Sequence, residues 1–434
     1  MKKMSKQLWL LMTLMCTPFV LFASESAIDK GDTAWILTST ALVLFMTLPG
    51  LSLFYAGLVR SKNVLSILMQ CFAIGCVSSL LWFAFVYSNA FSEGNWFIGG
   101  FSNAFFAGVG ETPHPNAPTI PGSLFALFQM TFAVITPALI IGAFAERMKF
   151  SSVLIFSSLW LIVVYGPICH WVWGGGWLFQ MGMLDFAGGS VVHITAGIAA
   201  LVTALMIKNR HGFPKTPMPP HNLTMTITGA GMLWVGWFGF NGGSAVSAGN
   251  GAAMAMIVTH LSAAAGSLAW MVIEWKKFGK PSVLGIVTGM VAGLGTITPA
   301  SGSVGPAAAI VIGLSAGVVC FYATQLIKRK FLIDDSLDVF PVHGVGGILG
   351  TFVVAIFASS SLGIFSGFSG GDYSMINQLG VQTIGIISTA GYTAIATYIL
   401  IKITGWLTGG IRVTPEQEQE GLDLALHEES GYKL

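Results

Sequence analysis

The 434-residue chain is 54% hydrophobic and only 9% charged, with a mean hydropathy of +0.76 and a formal net charge of +2. Soluble domains carry about 25% charged residues, so an ordinary water-soluble domain is excluded, and no basic run is suited to a nucleic-acid partner. The 54 glycines suit an all-α membrane protein, where small residues let helices approach closely.

The chain opens with Lys2, Lys3 and Lys6, an apolar stretch from Leu8 to Ala23, and then Ser24-Glu25-Ser26-Ala27. This pattern predicts a secretory signal peptide over 1–23. Leu21 fits the cleavage rule poorly, and an uncleaved anchor is the alternative. Apolar runs long enough to cross a bilayer follow at 33–57, 62–88, 121–145, 151–174, 187–207, 221–244, 250–273, 281–299, 304–326, 341–361 and 377–405. Eleven transmembrane helices are therefore expected, with a tail over 408–434. Past Lys30, every Lys and Arg falls in alternate connections, at the span ends beside them or in the tail, and the intervening connections contain none. The positive-inside rule then predicts an N-out, C-in protein.

Spans one to five (33–207) and six to ten (221–361) form two halves. Five is odd, so the second half is inverted relative to the first, a repeat common among transporters. Span five opens with Asp185 and carries His193; span ten is preceded by Asp334, Asp335 and Asp338 and carries His343. Eight helical residues advance about 12 Å, which places both histidines near mid-membrane, entering from opposite faces. Ionisable groups at that depth mark a substrate, ion or proton path. Asp185 itself reads as a helix cap whose charge shapes the outer mouth. His170 and His260 have no symmetry mates and read as satisfied structural histidines. The five cysteines (Cys16, Cys71, Cys76, Cys169 and Cys320) show no metal-binding spacing and read as small core residues. Neither a metal nor a cofactor is expected.

Several segments together carry a resemblance. Asp185-Phe186-Ala187-Gly188-Gly189-Ser190-Val191-Val192-His193 resembles a signature of the ammonium transporter (Amt/Mep/Rh) family. So do Gly236-Trp237-Phe238-Gly239-Phe240-Asn241-Gly242-Gly243-Ser244, Gly142-Ala143-Phe144-Ala145-Glu146-Arg147, and Asp338-Val339-Phe340-Pro341-Val342-His343-Gly344. The likeness runs from about residue 33 to 425 and includes the acidic tail segment from Glu416 to Asp423.

The resemblance implies a bacterial Amt-type protein of the plasma (inner) membrane that takes up ammonium or ammonia and is not an enzyme. Trp173, Ser244 and Phe132 match the residues that recruit ammonium, and Phe132 and Phe240 match a phenylalanine gate, with Phe128 one turn away. His193 and His343 match the paired pore histidines, and Trp237 matches a pore-lining tryptophan. It also implies a homotrimer whose cytoplasmic face and tail receive a PII-type signalling protein; a solvated, disordered tail is the alternative. Three other functions remain open at this point: an ammonium sensor, an Rh-like gas channel, and a haem protein ligated by both histidines.

Overall fold

The computed structural model describes residues 28–358 and 374–432. The expected signal peptide lies outside them, as does most of the connection at 362–376. The described residues hold eleven helices long and apolar enough to span a membrane, and they contain no strand beyond isolated bridges. These are α1 (Lys30–Leu58), α2 (Ser61–Phe91), α3 (Gly122–Phe144), α4 (Phe150–Gln180), α5 (Gly189–Ile207), α6 (Leu223–Gly242), α7 (Asn250–Phe278), α8 (Val283–Ala300), α9 (Pro306–Lys330), α10 (Phe340–Phe357) and α11 (Met375–Leu407). Two short helices follow in the tail, α12 (Pro415–Glu420) and α13 (Leu422–His427). The number of spans agrees with the expectation, while α1 starts earlier and α4, α7 and α9 run further than their apolar cores suggest.

Polar caps set several helix starts. Asp29 accepts from the Asp32 N–H, Asn222 from Met225 and Ser282 from Gly285, each satisfying an end group without an intrahelical partner. Within the spans, regular winding is interrupted by widened i→i+5 turns, among them Gly189–Ile194, Phe238–Gly242 and Phe340–Gly344. Such turns shift side-chain direction at functional sites. These three contain His193, Phe240 and His343.

The fold brings α5 and α10 together in antiparallel register through glycine. A Cβ at Gly197 would stand 2.2 Å from the Gly344 Cα, and one at Gly347 would stand 2.8 Å from the His193 Cβ. Only hydrogen at these crossings permits that approach. Further along, Gly189 of α5 lies against Thr351 of α10. The two helices therefore enter the bundle from opposite faces, as an inverted repeat requires.

One face of the bundle is basic. The Arg60 guanidinium lies 2.7 Å from Glu146, Arg210 lies 3.2 Å from Glu146 and 2.8 Å from Asp334, and Arg147 donates to the Ser336 hydroxyl at 2.7 Å. The Glu146 and Asp334 side chains are fully buried. Burial raises their carboxyl pKa values, but the arginines, Arg210 above all, outweigh it and hold both below the usual carboxylate range.

The tail docks on this face. Glu418 accepts from the His211 N–H and from Arg412, both at 2.7 Å, and Lys62 donates to the Gln419 carbonyl. Asp423 accepts from the Leu65 and Ser66 N–H groups at 3.1 and 2.7 Å, capping the start of α2. A disordered tail is thus excluded for the described residues. His260 and Cys76 also depart from expectation. Both are exposed on the outside of the bundle, where His260 lies against the rings of Trp234 and Phe238. His170 is buried, with carbonyl oxygens of Ala90 and Asn95 at both ring nitrogens.

Candidate functional site

With the basic face drawn as the lower one, three voids among the described residues follow each other through the bundle. The upper pocket, about 170 Å³, is lined by Trp173, Phe132, Ser244 and Gln129 among others. The central void, about 10 Å³, lies among Phe240, Trp237, His193 and His343. The lower pocket, about 120 Å³, is reached past His343, which lines both.

The walls of the upper pocket are aromatic and held from behind. The rings of Phe132 and Trp173 meet edge to face at 5.6 Å between centroids, and Trp173 Nε1 donates to the Asp185 carbonyl at 2.8 Å. Ser244 Oγ donates to the Phe240 carbonyl at 2.8 Å, which commits its proton and leaves its lone pairs to accept. Phe132 and Phe240 separate this pocket from the central void, with centroids 4.4 Å apart and planes tilted by 44°. Phe128, expected beside the route, lines none of the three voids. It packs edge-on against Phe132 at 5.2 Å and so fixes that ring.

Below the phenylalanines, His193 Nδ1 and His343 Nδ1 are 3.2 Å apart. One must donate and the other accept, so a single proton lies between the rings. The imidazole of His193 stacks on Trp237 at 5.6 Å with planes 17° apart, and Trp237 is held by its Nε1 donating to Thr298. His193 Nε2 is buried and has no hydrogen-bond partner. Between these rings there is space for about one water-sized molecule. A haem macrocycle does not fit there, and a bis-His haem site is ruled out by space.

The aspartates act at the helix ends. Asp185 precedes the helical residues of α5, and its carboxylate accepts from the N–H groups of Gly188, Gly189, Ser190 and Val191 at 2.5–3.2 Å. Burial pushes its carboxyl up to about 6 against the pull of those four donors. Asp335 does the corresponding work for α10, accepting from the Phe340 N–H at 2.7 Å. The matched Asp–His spacing therefore comes from two capped helices, each presenting a histidine in its first turns.

A family model described as the Ammonium Transporter Family matches residues 34–432. The chain belongs to this family. It is 47% identical over 406 residues to an ammonium transporter of Bacillus subtilis, covering 93% of this chain and 99% of that one. Among solved structures, Saccharomyces cerevisiae Mep2 matches with a TM-score of 0.83 at 37% identity, over 91% of this chain and 92% of that one. A sensor Amt protein matches with a TM-score of 0.84 at 30% identity, over 92% and 98% of the two chains. An ammonium transporter built as a multi-pass membrane protein is therefore the class of this chain.

Sequence reading missed Gln129. Its Oε1 is buried without a partner and its side chain lines the upper pocket. The available signal was its place as the one amide side chain in α3, three residues before Phe132.

Proposed function

We propose that ammonium enters the upper pocket from outside the cell, loses a proton there, and passes as ammonia between Phe132 and Phe240 and along His193 and His343 to the cytoplasm. The observation that carries this reading is the chain of three voids joined through shared or touching residues, narrowest between the histidines. The basic face is read as cytoplasmic by the positive-inside rule. The halves 33–207 and 221–361 are read as one inverted repeat around the route.

Ammonium has the size of potassium, so recognition needs direction as well as fit. Trp173 and Phe132 offer aromatic faces to a cation, an attraction worth about 2 kcal/mol or more when desolvated. Ser244 and the Gln129 carbonyl oxygen offer acceptors to N–H groups that potassium lacks. Both carboxylate oxygens of Asp185 are occupied by backbone donors, so no free carboxylate competes for other cations in this pocket.

An intact cation would meet an apolar throat, and uncompensated burial of an ion costs tens of kcal/mol. Taking lysine ammonium as a proxy, deprotonation at pH 7 costs roughly 4.6 kcal/mol. Releasing the proton is the cheaper course. The histidine pair then shares one proton, so one ring can present Nε2–H and the other a bare Nε2 to the route. Passage of the released proton along this pair makes net transport electrogenic.

The test is a proteoliposome assay that records current and internal pH after an ammonium pulse. Current is expected with wild-type protein and is expected to be lost in His193→Ala and His343→Ala. Undiminished current in both variants refutes the relay. A pH change without current supports a gas channel of the Rh kind. The likeness to a sensor Amt protein supports a second reading, sensing through the same site; ammonium binding without any uptake would favour it. We also read the protein as a homotrimer of the inner membrane, with its docked tail as the landing place of a PII-type protein.

A further inference from the structure

The lower pocket contains a charged pair that the transport reading leaves unused. Lys328, in the last turn of α9, places its Nζ 2.8 Å from Asp338 Oδ2 and 3.4 Å from the Ser336 carbonyl oxygen. Both side chains keep some exposure, 28% and 21%, and both line the void that His343 reaches from above. Asp338 adopts φ +62°, a strained conformation for a residue other than glycine. Its Oδ1 is buried and has no hydrogen-bond partner.

The neighbouring acids are committed elsewhere. Asp334 is held by Arg210 and Arg147, and Asp335 receives the Phe340 N–H on one oxygen; its other oxygen is also unpartnered, but neither residue lines this void. Asp338 is thus the carboxylate that lines the void, with one oxygen unpartnered and the other holding a primary ammonium group on a four-carbon tether. That group has the charge and N–H geometry of the transported ion.

We propose that Asp338 and the Ser336 carbonyl form an ammonium-binding site at the basic-face end of the route, which the Lys328 ammonium group occupies as a tethered stand-in for the cargo. Free ammonium on that face and Lys328 then compete for one carboxylate. With Lys328 seated, the pocket is neutral and retains a departing cation weakly. With Lys328 displaced, it holds ammonium and slows further exit. The proposal rests on the reading of the three voids as one route, because that reading brings the cargo to Asp338.

The test uses proteoliposomes containing full-length protein in one orientation, with the basic face inward. Methylammonium uptake is measured while ammonium chloride is preloaded inside, with potassium chloride as the ionic control. Each variant is normalised to its own uptake without internal ammonium. Lys328→Met is expected to lower the half-inhibiting internal ammonium concentration about tenfold, equivalent to about 1.4 kcal/mol. Lys328→Arg is expected to keep the wild-type value, and Asp338→Asn to raise it at least tenfold. Equal values in wild type, Lys328→Met and Asp338→Asn overturn the proposal. A second measurement needs no variant: acylation of Lys328 by an amine-reactive reagent, read by peptide mass spectrometry relative to Lys276. The ratio is expected to rise when ammonium replaces potassium on the basic face, and an unchanged ratio also overturns the proposal. Absence of uptake by the wild-type protein would fail the transport reading instead, while the acylation ratio still decides the site.

Discussion

Replacing Gly197 with alanine puts one methyl group where α5 and α10 cross. That carbon would stand 2.2 Å from the Gly344 Cα. Ordinary carbon contacts are about 3.5–4.0 Å, so the helices must part by roughly 1.3–1.8 Å. Because the obstacle is backbone on the partner helix, no side-chain rotation relieves it. His193 lies one turn before Gly197 and His343 directly precedes Gly344, so their Nδ1 separation of 3.2 Å opens to roughly 4.5 Å, past hydrogen-bond range. Overpacking of this kind costs about 1–3 kcal/mol, and misplacement of about 1 Å at a reacting pair can slow a process about 100-fold. The assay is methylammonium uptake in proteoliposomes, alongside the midpoint of thermal unfolding in detergent. Gly391→Ala, where a methyl meets open space, serves as the control and is expected to match wild type. Wild-type uptake and stability in Gly197→Ala would refute the claim that this glycine contact sets the histidine pair.

Two further outcomes follow from the helix ends. The Asp185 carboxyl is raised to about 6 from an ordinary 3.8, chiefly by burial. Between those values the folded protein holds a proton that the unfolded chain has released, so this group's stabilisation is full below 3.8 and is lost as pH rises through 6. Wild-type protein is expected to lose about 1 kcal/mol from this source between pH 5 and pH 7. Asp185→Asn should lack that component, and identical pH profiles of thermal unfolding for the two proteins would contradict it. At the other face, Asp423→Ala removes the cap from Leu65 and Ser66 and should cost about 1–2 kcal/mol. Limited proteolysis should then cut the tail faster than in wild type; an unchanged cleavage rate would show that Asp423 does not hold it.

How much of this was legible in the sequence differs by level. The number of spans was readable because apolar run length and basic connections are strong, independent signals. The meeting of His193 and His343 was readable because two five-span halves must invert. Azimuth was not. In a helix that is apolar all round, the side facing lipid and the side facing protein have the same composition, so sequence alone does not distinguish His260 and Cys76 from internal residues. The same ambiguity hid the position of Phe128 behind Phe132 and the access of Gln129 to the upper pocket. Widened turns were also invisible, since Gly189–Ile194 and Phe340–Gly344 look like ordinary helix starts. The tail was undecidable because its acids find partners more than two hundred residues away, as Glu418 does at His211.

That docking has a consequence for biosynthesis. Arg412, Glu418 and Asp423 are synthesised after all eleven spans, yet they complete hydrogen bonds for Ile207, His211, Leu65 and Ser66 on segments made long before. Until they emerge, the start of α2 and the connection after α5 present bare backbone groups on the basic face. A chain that stops short of residue 412 therefore keeps those groups exposed for its whole lifetime. Loss of the tail is thereby marked on distant parts of the molecule, as unpartnered backbone at Leu65, Ser66, Ile207 and His211.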